Sequence, residues 1–112
     1  MDESQRIIYQ RLVEVARAKG ITNYTEVGEL VGLDMSTEVG RIRIAQILDD
    51  INRYEVARNA PLISALVIRQ DINIPGSGFF ECARELGRYR GDSDLLFWID
   101  ELKEVHNYWQ SR

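Results

Sequence analysis

The stretch from Pro61 to Arg69 constrains the fold of this 112-residue chain more than any other. It reads Pro-Leu-Ile-Ser-Ala-Leu-Val-Ile-Arg and is almost continuously apolar, which is typical of a strand covered on both faces. A glycine-rich turn, Gly76-Ser77-Gly78, follows a short loop and leads into a helical pattern. We therefore predict one buried strand, from Leu62 to Arg69, in a chain whose other segments are mainly helical.

The first two helical segments flank a short β-prone stretch. The first helix is expected to begin near Ser4 and to end at Lys19-Gly20, where glycine suits the position just after a helix. Ile21–Tyr24 is β-prone, and Thr25 is expected to cap a second helix that Gly32 ends. Apolar residues at helical spacing predict the buried faces: Ile8, Leu12, Val15 and Ala16 on the first helix, and Val27, Leu30 and Val31 on the second.

Three further helices are predicted. The third should begin near Ser36 or Thr37 and run to about Arg58. Two overlapping apolar stripes give it a wide buried face: Ile44, Ile47, Leu48, Ile51 and Tyr54. A fourth helix follows the glycine-rich turn and ends at Gly87, and Ser93 caps the last one. The last helix carries a short heptad seam: Leu95, Ile99, Leu102, His106 and Trp109.

Length and composition indicate the number of domains and the cellular compartment of the protein. A chain of this length with 45% apolar residues is expected to form one domain with one modest core. The net charge of −4 and the pI near 5.0 count against a strong nonspecific nucleic-acid binder, because phosphate contact needs a basic surface. The single cysteine, Cys82, favours a reducing compartment. With no signal-peptide pattern and no long apolar run, we expect a cytoplasmic protein without a membrane partner.

Four short motifs together resemble a known family. They are Ile21-Thr22-Asn23-Tyr24-Thr25-Glu26-Val27, Val39-Gly40, Asn59-Ala60-Pro61 and Val67-Ile68-Arg69. In this order they resemble motifs of the winged-helix domain of the DNA alkyltransferases and the alkyltransferase-like proteins, over roughly residues 5–80. The resemblance implies a three-helix core with a small β element over about residues 4–80. A C-terminal helical extension over about residues 79–112 completes the same single domain, 1–112.

The family's reactive residues are absent from the matching positions. When the chain is aligned on Val67-Ile68, the family's Pro-Cys-His-Arg run falls on Ile63-Ser64-Ala65-Leu66. Alkyl transfer needs an activated thiolate, so the resemblance implies a shared scaffold without the family's reaction. The arginine that the family carries on its recognition helix would fall on Thr37, which also counts against arginine-assisted base flipping.

The chain offers few groups for other chemistry. Cys82 lies on an apolar helix face, where a free cysteine is usually a small buried hydrophobe, and His106 lies on the heptad seam. One cysteine and one histidine make no zinc cluster, so no metal or cofactor is predicted. Cys82 and His106 are the only residues that could form a nucleophile–base pair, and an enzyme based on them and the carboxylates ranks behind both kinds of binding module. Gly76, Ser77 and Gly78 precede a helix and either offer backbone N–H groups to an anion or serve only the geometry of the turn.

The leading hypothesis is a non-catalytic binding module that contacts double-stranded DNA. On a winged helix, the third helix enters the major groove and the wing contacts the backbone. The residues placed for such contacts are Ser36, Thr37, Arg41, Arg43 and Arg69. The alternative is that they are ordinary solvated side chains, paired with Glu38, Asp49 and Asp50.

A competing hypothesis is a protein-interaction or homodimerisation domain that uses the last helix. Large side chains near one side of this helix would anchor the partner: Trp98, Leu102, His106 and Trp109. The other interpretation is that the same seam packs on its own domain. The sequence leaves both open.

Overall fold

Five helices and two very short strands make up the protein, in a computed structural model that describes residues 1–112. The helices are α1 (Glu3–Arg17), α2 (Tyr24–Leu30), α3 (Glu38–Ala57), α4 (Ser77–Glu85) and α5 (Asp94–Gln110), and the strands are β1 (Thr22–Asn23) and β2 (Val67–Ile68). A 3₁₀ turn, Ile63–Leu66, lies directly before β2. The prediction of a mostly helical α+β fold is confirmed.

The core surrounds the 3₁₀ turn. Helices α1, α3 and α5 all pack against this turn, and α1 also packs against α3 and α5. Every residue of the turn is buried, and so are the two residues on either side of it. The most strongly apolar part of the sequence is therefore the centre of the molecule.

The predicted strand from Leu62 to Arg69 is wrong over most of its length. Only β2 is paired, in parallel with β1, and β1 offers only two residues. The preceding backbone satisfies its polar groups with side chains instead. The Leu62 N–H donates to the Glu101 carboxylate at 2.8 Å, and the Ser64 N–H donates to the Asn52 side-chain oxygen at 3.4 Å. A continuous apolar run indicates burial, but it does not distinguish a strand from an enclosed turn.

The predicted face of α1 is confirmed, whereas its ends differ by one or two residues. All four predicted residues of the face are buried. Asp2, rather than Ser4, caps the helix: its carboxylate accepts from the Gln5 N–H at 2.9 Å, and the Gln5 side chain accepts from the Asp2 N–H at 2.9 Å. At the other end Lys19, rather than Gly20, takes the left-handed conformation, with φ of 55°.

The boundaries of α2 and α3 follow local capping signals. Asn23, rather than Thr25, caps α2 with its side chain, and Gly32 follows the helix with φ of 73°, as predicted for a stop. Thr37 caps α3 with its hydroxyl, and Arg58 is the C-terminal cap residue after Ala57. Both predicted ends of α3 are confirmed.

The ends of α4 and α5 also agree with the sequence. Gly76 is the N-terminal cap residue of α4, and Gly87 follows that helix with φ of 77°. The Ser93 hydroxyl accepts from the Leu96 N–H and caps α5. None of the five helices is both long and apolar enough to cross a membrane.

Parts of the predicted buried faces are exposed. Leu30 and Tyr54 are 45% and 42% exposed, because they lie at the edges of their helices. On α5, Leu95 and Ile99 are 52% and 36% exposed, so the N-terminal half of the predicted seam faces solvent. The buried side of α5 is formed by Glu101, Val105 and Trp109.

Candidate functional site

A cavity of about 620 Å³ opens between α3, the start of α2, the end of β2 and the N-terminus of α4. Its lining includes Arg41 and Arg69, two of the predicted DNA contacts, and also Gly76, Ser77 and Gly78, the predicted anion site. Two predictions made from separate parts of the sequence therefore fall on one cavity. Its volume is in the range of small-molecule sites.

The buried part of the cavity, called the floor below, is apolar apart from one hydroxyl. The floor residues are at most 7% exposed, and they are Ile44, Leu48, Ser64, Ile68 and Phe79. They come from α3, the 3₁₀ turn, β2 and the first turn of α4. Apolar walls with a small number of placed polar groups are the usual composition of a ligand site.

Four polar side chains form a connected group at the floor, the floor cluster: Ser64, Asn52, Cys82 and Asp49. The Asn52 Nδ2 donates to the Ser64 Oγ at 2.7 Å and lies 4.0 Å from the Cys82 Sγ. Asp49 lies close enough to the Cys82 thiol for each group to shift the pKa of the other. Ser64 and Asp49 line the cavity, so both ends of the floor cluster face it.

Burial governs protonation in the floor cluster. It raises the pKa of Asp49, and the neighbouring Cys82 thiol and the charge of Arg53 partly oppose this effect. Burial, followed by the charge of Asp49, raises the pKa of Cys82 to about 11. The thiol is therefore protonated at neutral pH, and a protonated thiol is a poor nucleophile.

Charged side chains surround the mouth of the cavity. The Arg41 guanidinium donates to the Met35 carbonyl at 3.3 Å and has no carboxylate partner. Arg69 instead forms a bidentate pair with Asp71, at 3.1 and 2.7 Å, and this contact lowers the pKa of Asp71. Arg41 is therefore the uncompensated cation at the cavity.

The first turn of α4 reaches the mouth without a side-chain cap. Gly76, the cap residue, has no side chain to accept from this turn, and its own N–H donates to the Tyr24 hydroxyl at 2.9 Å. Burial raises the pKa of Tyr24. The N–H groups of Ser77 and Gly78 have no partner within the helix, and both residues are exposed. Such groups favour an anion near them.

The other three predicted DNA contacts are engaged within the chain. Thr37 caps α3, and the Ser36 hydroxyl donates to the Asp34 carboxylate at 2.6 Å. Arg43 pairs with Asp2 at 3.1 Å. None of the three lines the cavity.

Cys82 and His106 engage different parts of the molecule. Cys82 is buried, as predicted, and lies beside Asn52 in the floor cluster. The His106 Nε2 lies 2.9 Å from the Gly20 carbonyl, near the end of α1. No group of three His, Cys, Asp or Glu side chains is placed to hold a metal ion.

The four predicted interface residues on α5 contact their own domain. The Trp98 indole N–H donates to the Ala65 carbonyl at 2.9 Å, and Leu102 packs against the core. Trp109 is 7% exposed and lies edge-on to Tyr9, with 6.2 Å between ring centroids. The apolar residues that α5 presents to solvent are different ones: Leu95, Leu96 and Ile99.

Sequence reasoning missed four polar residues of the site: Tyr24, Asp49, Asn52 and Ser64. From the sequence, Tyr24 belongs to the β-prone segment, and Asp49 is expected only as an ion-pair partner for the arginines. A usable signal existed on α3, where Asp49 and Asn52 lie three residues apart and flank its apolar stripe. Their convergence with Ser64 depends on the 3₁₀ turn, which the sequence does not indicate.

Fold and site together describe a small, mostly helical protein in which a ligand-sized cavity joins an apolar floor to a partly cationic mouth. No protein-family model, curated protein or solved structure matches the chain.

Proposed function

We propose that this protein is a non-catalytic binding module and that the cavity binds a small anionic ligand. One observation carries the proposal: the uncompensated Arg41 and the uncapped first turn of α4 border the mouth of a cavity whose floor is apolar. An anion at the mouth would gain a guanidinium and backbone N–H donors, while an attached apolar group would fill the floor.

The protonation of Cys82 and the hydrogen bonds of His106 and Ser64 support ligand binding rather than nucleophilic catalysis. The Cys82 thiol, with its pKa raised to about 11, is protonated and buried, and His106 is engaged at the Gly20 carbonyl. The Ser64 hydroxyl accepts from an asparagine amide, which cannot act as a general base.

Double-stranded DNA is the second candidate ligand. It is favoured by the winged-helix-like order of α1, α2, α3 and the small β element, and by the position of Arg41 on the third helix next to Arg69. DNA ranks second because Arg43 and Arg69 are paired with carboxylates and the net charge is −4. Binding of this kind would weaken steeply as salt rises.

The protein-interaction hypothesis is the third candidate. It now depends on the exposed apolar residues Leu95, Leu96 and Ile99 rather than on the seam predicted from the sequence. Light scattering at high protein concentration tests self-association directly, and a monomer there would count against a homodimer.

Benzoate is a suitable first probe, because it combines a carboxylate with a flat apolar body. In a titration followed by amide chemical shifts, we expect the largest shifts at Ser77, Gly78 and β2. Ala45, exposed on α3, lines the cavity, so Ala45→Phe should block benzoate. Gln46→Phe, also exposed but outside the cavity, is the matched control.

Three results are informative. Loss of benzoate binding in the Ala45 variant alone would support the cavity as the binding site. Equal binding by both variants, or no benzoate binding at all, would contradict it. A short duplex that binds the protein at low salt and loses affinity on Arg41→Ala would favour DNA.

A further inference from the structure

We propose that the ligand of this cavity carries a primary carboxamide at its buried end, with the amide carbonyl accepting from Ser64 and the amide NH₂ donating to Asp49. The inference rests on the proposed function above and extends it by naming the group that reaches the floor. It follows from unused hydrogen-bonding capacity at the two ends of the floor cluster.

Ser64 supplies the donor. Its side chain is 3% exposed, lines the cavity and is held on one side by Asn52, whose Nδ2 donates to the Oγ at 2.7 Å. The backbone N–H of Ser64 donates to the same asparagine, which fixes the pair from both directions. A serine hydroxyl also carries one proton to donate, and no acceptor in the chain receives it. The free proton has the cavity beside it.

Asp49 supplies the acceptor. Its carboxylate lines the cavity near the Cys82 thiol, and its lone pairs remain available to a ligand. It forms no ion pair within 4 Å, although Arg53 lies on the next turn of α3 and pairs with Asp50. A partly buried carboxylate without a cationic partner favours an N–H donor from a ligand.

The two groups together discriminate among ligand heads. A carboxylate head would meet the like charge of Asp49, and an ammonium head would leave the Ser64 proton without an acceptor. A primary carboxamide offers one carbonyl and two N–H donors in a plane, so it satisfies both protein groups at once. The expected ligand is therefore a compact amide with an anionic group at its other end.

Three probes with the same carboxylate and ring test this assignment on the unmodified protein. They are benzoate, 4-acetylbenzoate, which adds a carbonyl acceptor, and 4-carbamoylbenzoate, which adds the carbonyl and the NH₂. We expect the acetyl probe to bind about threefold more tightly than benzoate, because it gains one neutral hydrogen bond. The carbamoyl probe should bind about tenfold more tightly than the acetyl probe, because it gains a bond to a charged group.

Ser64→Ala then tests whether the gain in affinity from benzoate to 4-acetylbenzoate comes from the Ser64 hydroxyl. We expect this variant to bind benzoate and 4-acetylbenzoate equally, while it keeps part of the preference for the carbamoyl probe. If the variant does not fold, the order of the three probes on the unmodified protein decides the question alone.

The carboxamide assignment and the proposed anion site can fail separately in this experiment. Benzoate binding in the cavity with no gain from the carbamoyl group would overturn the carboxamide assignment and leave the anion site in place. Absence of binding by all three probes would remove both proposals.

Discussion

Two polar clusters in the interior of this protein differ in their hydrogen bonding. In one, the closed cluster, the groups find their partners within the protein; in the other, the open cluster, some hydrogen-bonding capacity is unused. The closed cluster, called the clamp, joins Glu101 on α5 to Arg88 and to the Leu62 N–H. Glu101 is 4% exposed, accepts from Leu62 at 2.8 Å and forms a bidentate pair with Arg88 at 2.7 and 3.1 Å. In the floor cluster, by contrast, Ser64 keeps a free proton and Asp49 keeps free lone pairs next to a cavity.

This comparison separates buried polar groups whose partners all lie within the protein from buried polar groups that keep free hydrogen-bonding capacity beside a cavity. The clamp uses its hydrogen-bonding capacity to fix the chain just before the 3₁₀ turn, and none of its three residues lines the cavity of about 620 Å³. A buried polar group normally has its partners in the protein, because leaving it unpaired costs free energy. A buried group that lacks one, and that faces a cavity, is placed to meet a ligand.

Breaking the clamp should have the largest effect on stability. Glu101→Ala leaves the Leu62 N–H buried without a partner and Arg88 without its carboxylate. We expect the free energy of unfolding to fall by about 3 kcal/mol, at the low end of values for broken buried pairs because Arg88 is 34% exposed. Urea denaturation with an unchanged m-value measures this loss.

The matched control is Glu14→Ala, which breaks the exposed pair between Glu14 and Arg11. Both side chains are about half exposed or more, so we expect a loss under about 0.5 kcal/mol. If the two variants lost similar stability, the buried contacts of Glu101 would contribute no more to stability than an exposed ion pair does.

The second effect separates Arg41 from Arg43, the two arginines in the N-terminal part of α3. Arg41→Ala should weaken benzoate binding about tenfold, because it removes a charge-assisted hydrogen bond at the mouth. Arg43→Ala should change affinity less than about twofold, because Arg43 is paired with Asp2 and does not line the cavity. Isothermal titration of both variants gives the ratio, and equal losses would point to a diffuse electrostatic effect rather than a site.

A smaller effect is expected in the floor cluster itself. Ser64→Ala removes the acceptor of the Asn52 Nδ2, and we expect a loss of about 1 kcal/mol in unfolding free energy. The loss should be well below that of Glu101→Ala, because solvent in the adjoining cavity can hydrate the freed amide. A loss as large as that of the clamp variant would place Ser64 among the structural groups and weaken its assignment to a ligand.

The sequence predicted the elements whose determinants are local. The ends of α3 at Thr37 and Arg58 and the cap of α5 at Ser93 were correct, because caps act within a few residues of the helix they end. The buried face of α1 was correct for a similar reason, since one helix period specifies it. The cap of α1 was placed two residues too late, at Ser4 rather than Asp2.

What the sequence could not supply depends on distant residues. The 3₁₀ turn replaces a strand because Glu101, 39 residues away, holds the Leu62 N–H, and Asn52, 12 residues away, holds Ser64. The chemistry of Arg41 and of the glycine turn is visible in the sequence, but their meeting at one cavity follows from packing. The exposure of Leu95 likewise depends on how α5 lies on α1 and the 3₁₀ turn.

The smallest expected effect concerns Glu55, the second buried carboxylate besides Glu101, which has partners for only one of its two oxygens. It is fully buried; Oε1 accepts from Tyr9 at 2.8 Å and from Arg58 at 3.2 Å, while Oε2 has no partner. Burial raises the pKa of Glu55 above its ordinary value of 4.5, although Tyr9 and Arg58 oppose the rise. Because the folded state then holds the proton more tightly than the unfolded state, ionisation costs stability as the pH rises above 4.5.

Glu55→Gln keeps an acceptor for Tyr9 and cannot ionise, so its stability relative to the unmodified protein should improve as the pH rises from 4 to 7. The carboxylates with lowered pKa values, Asp2, Asp34 and Asp71, lose stabilisation on acidification, but they are present in both proteins and cancel in the difference. Urea denaturation at several pH values measures that difference. A difference that moved the other way would show that Tyr9 and Arg58 satisfy the charge, and Glu55 would then belong with the closed clamp.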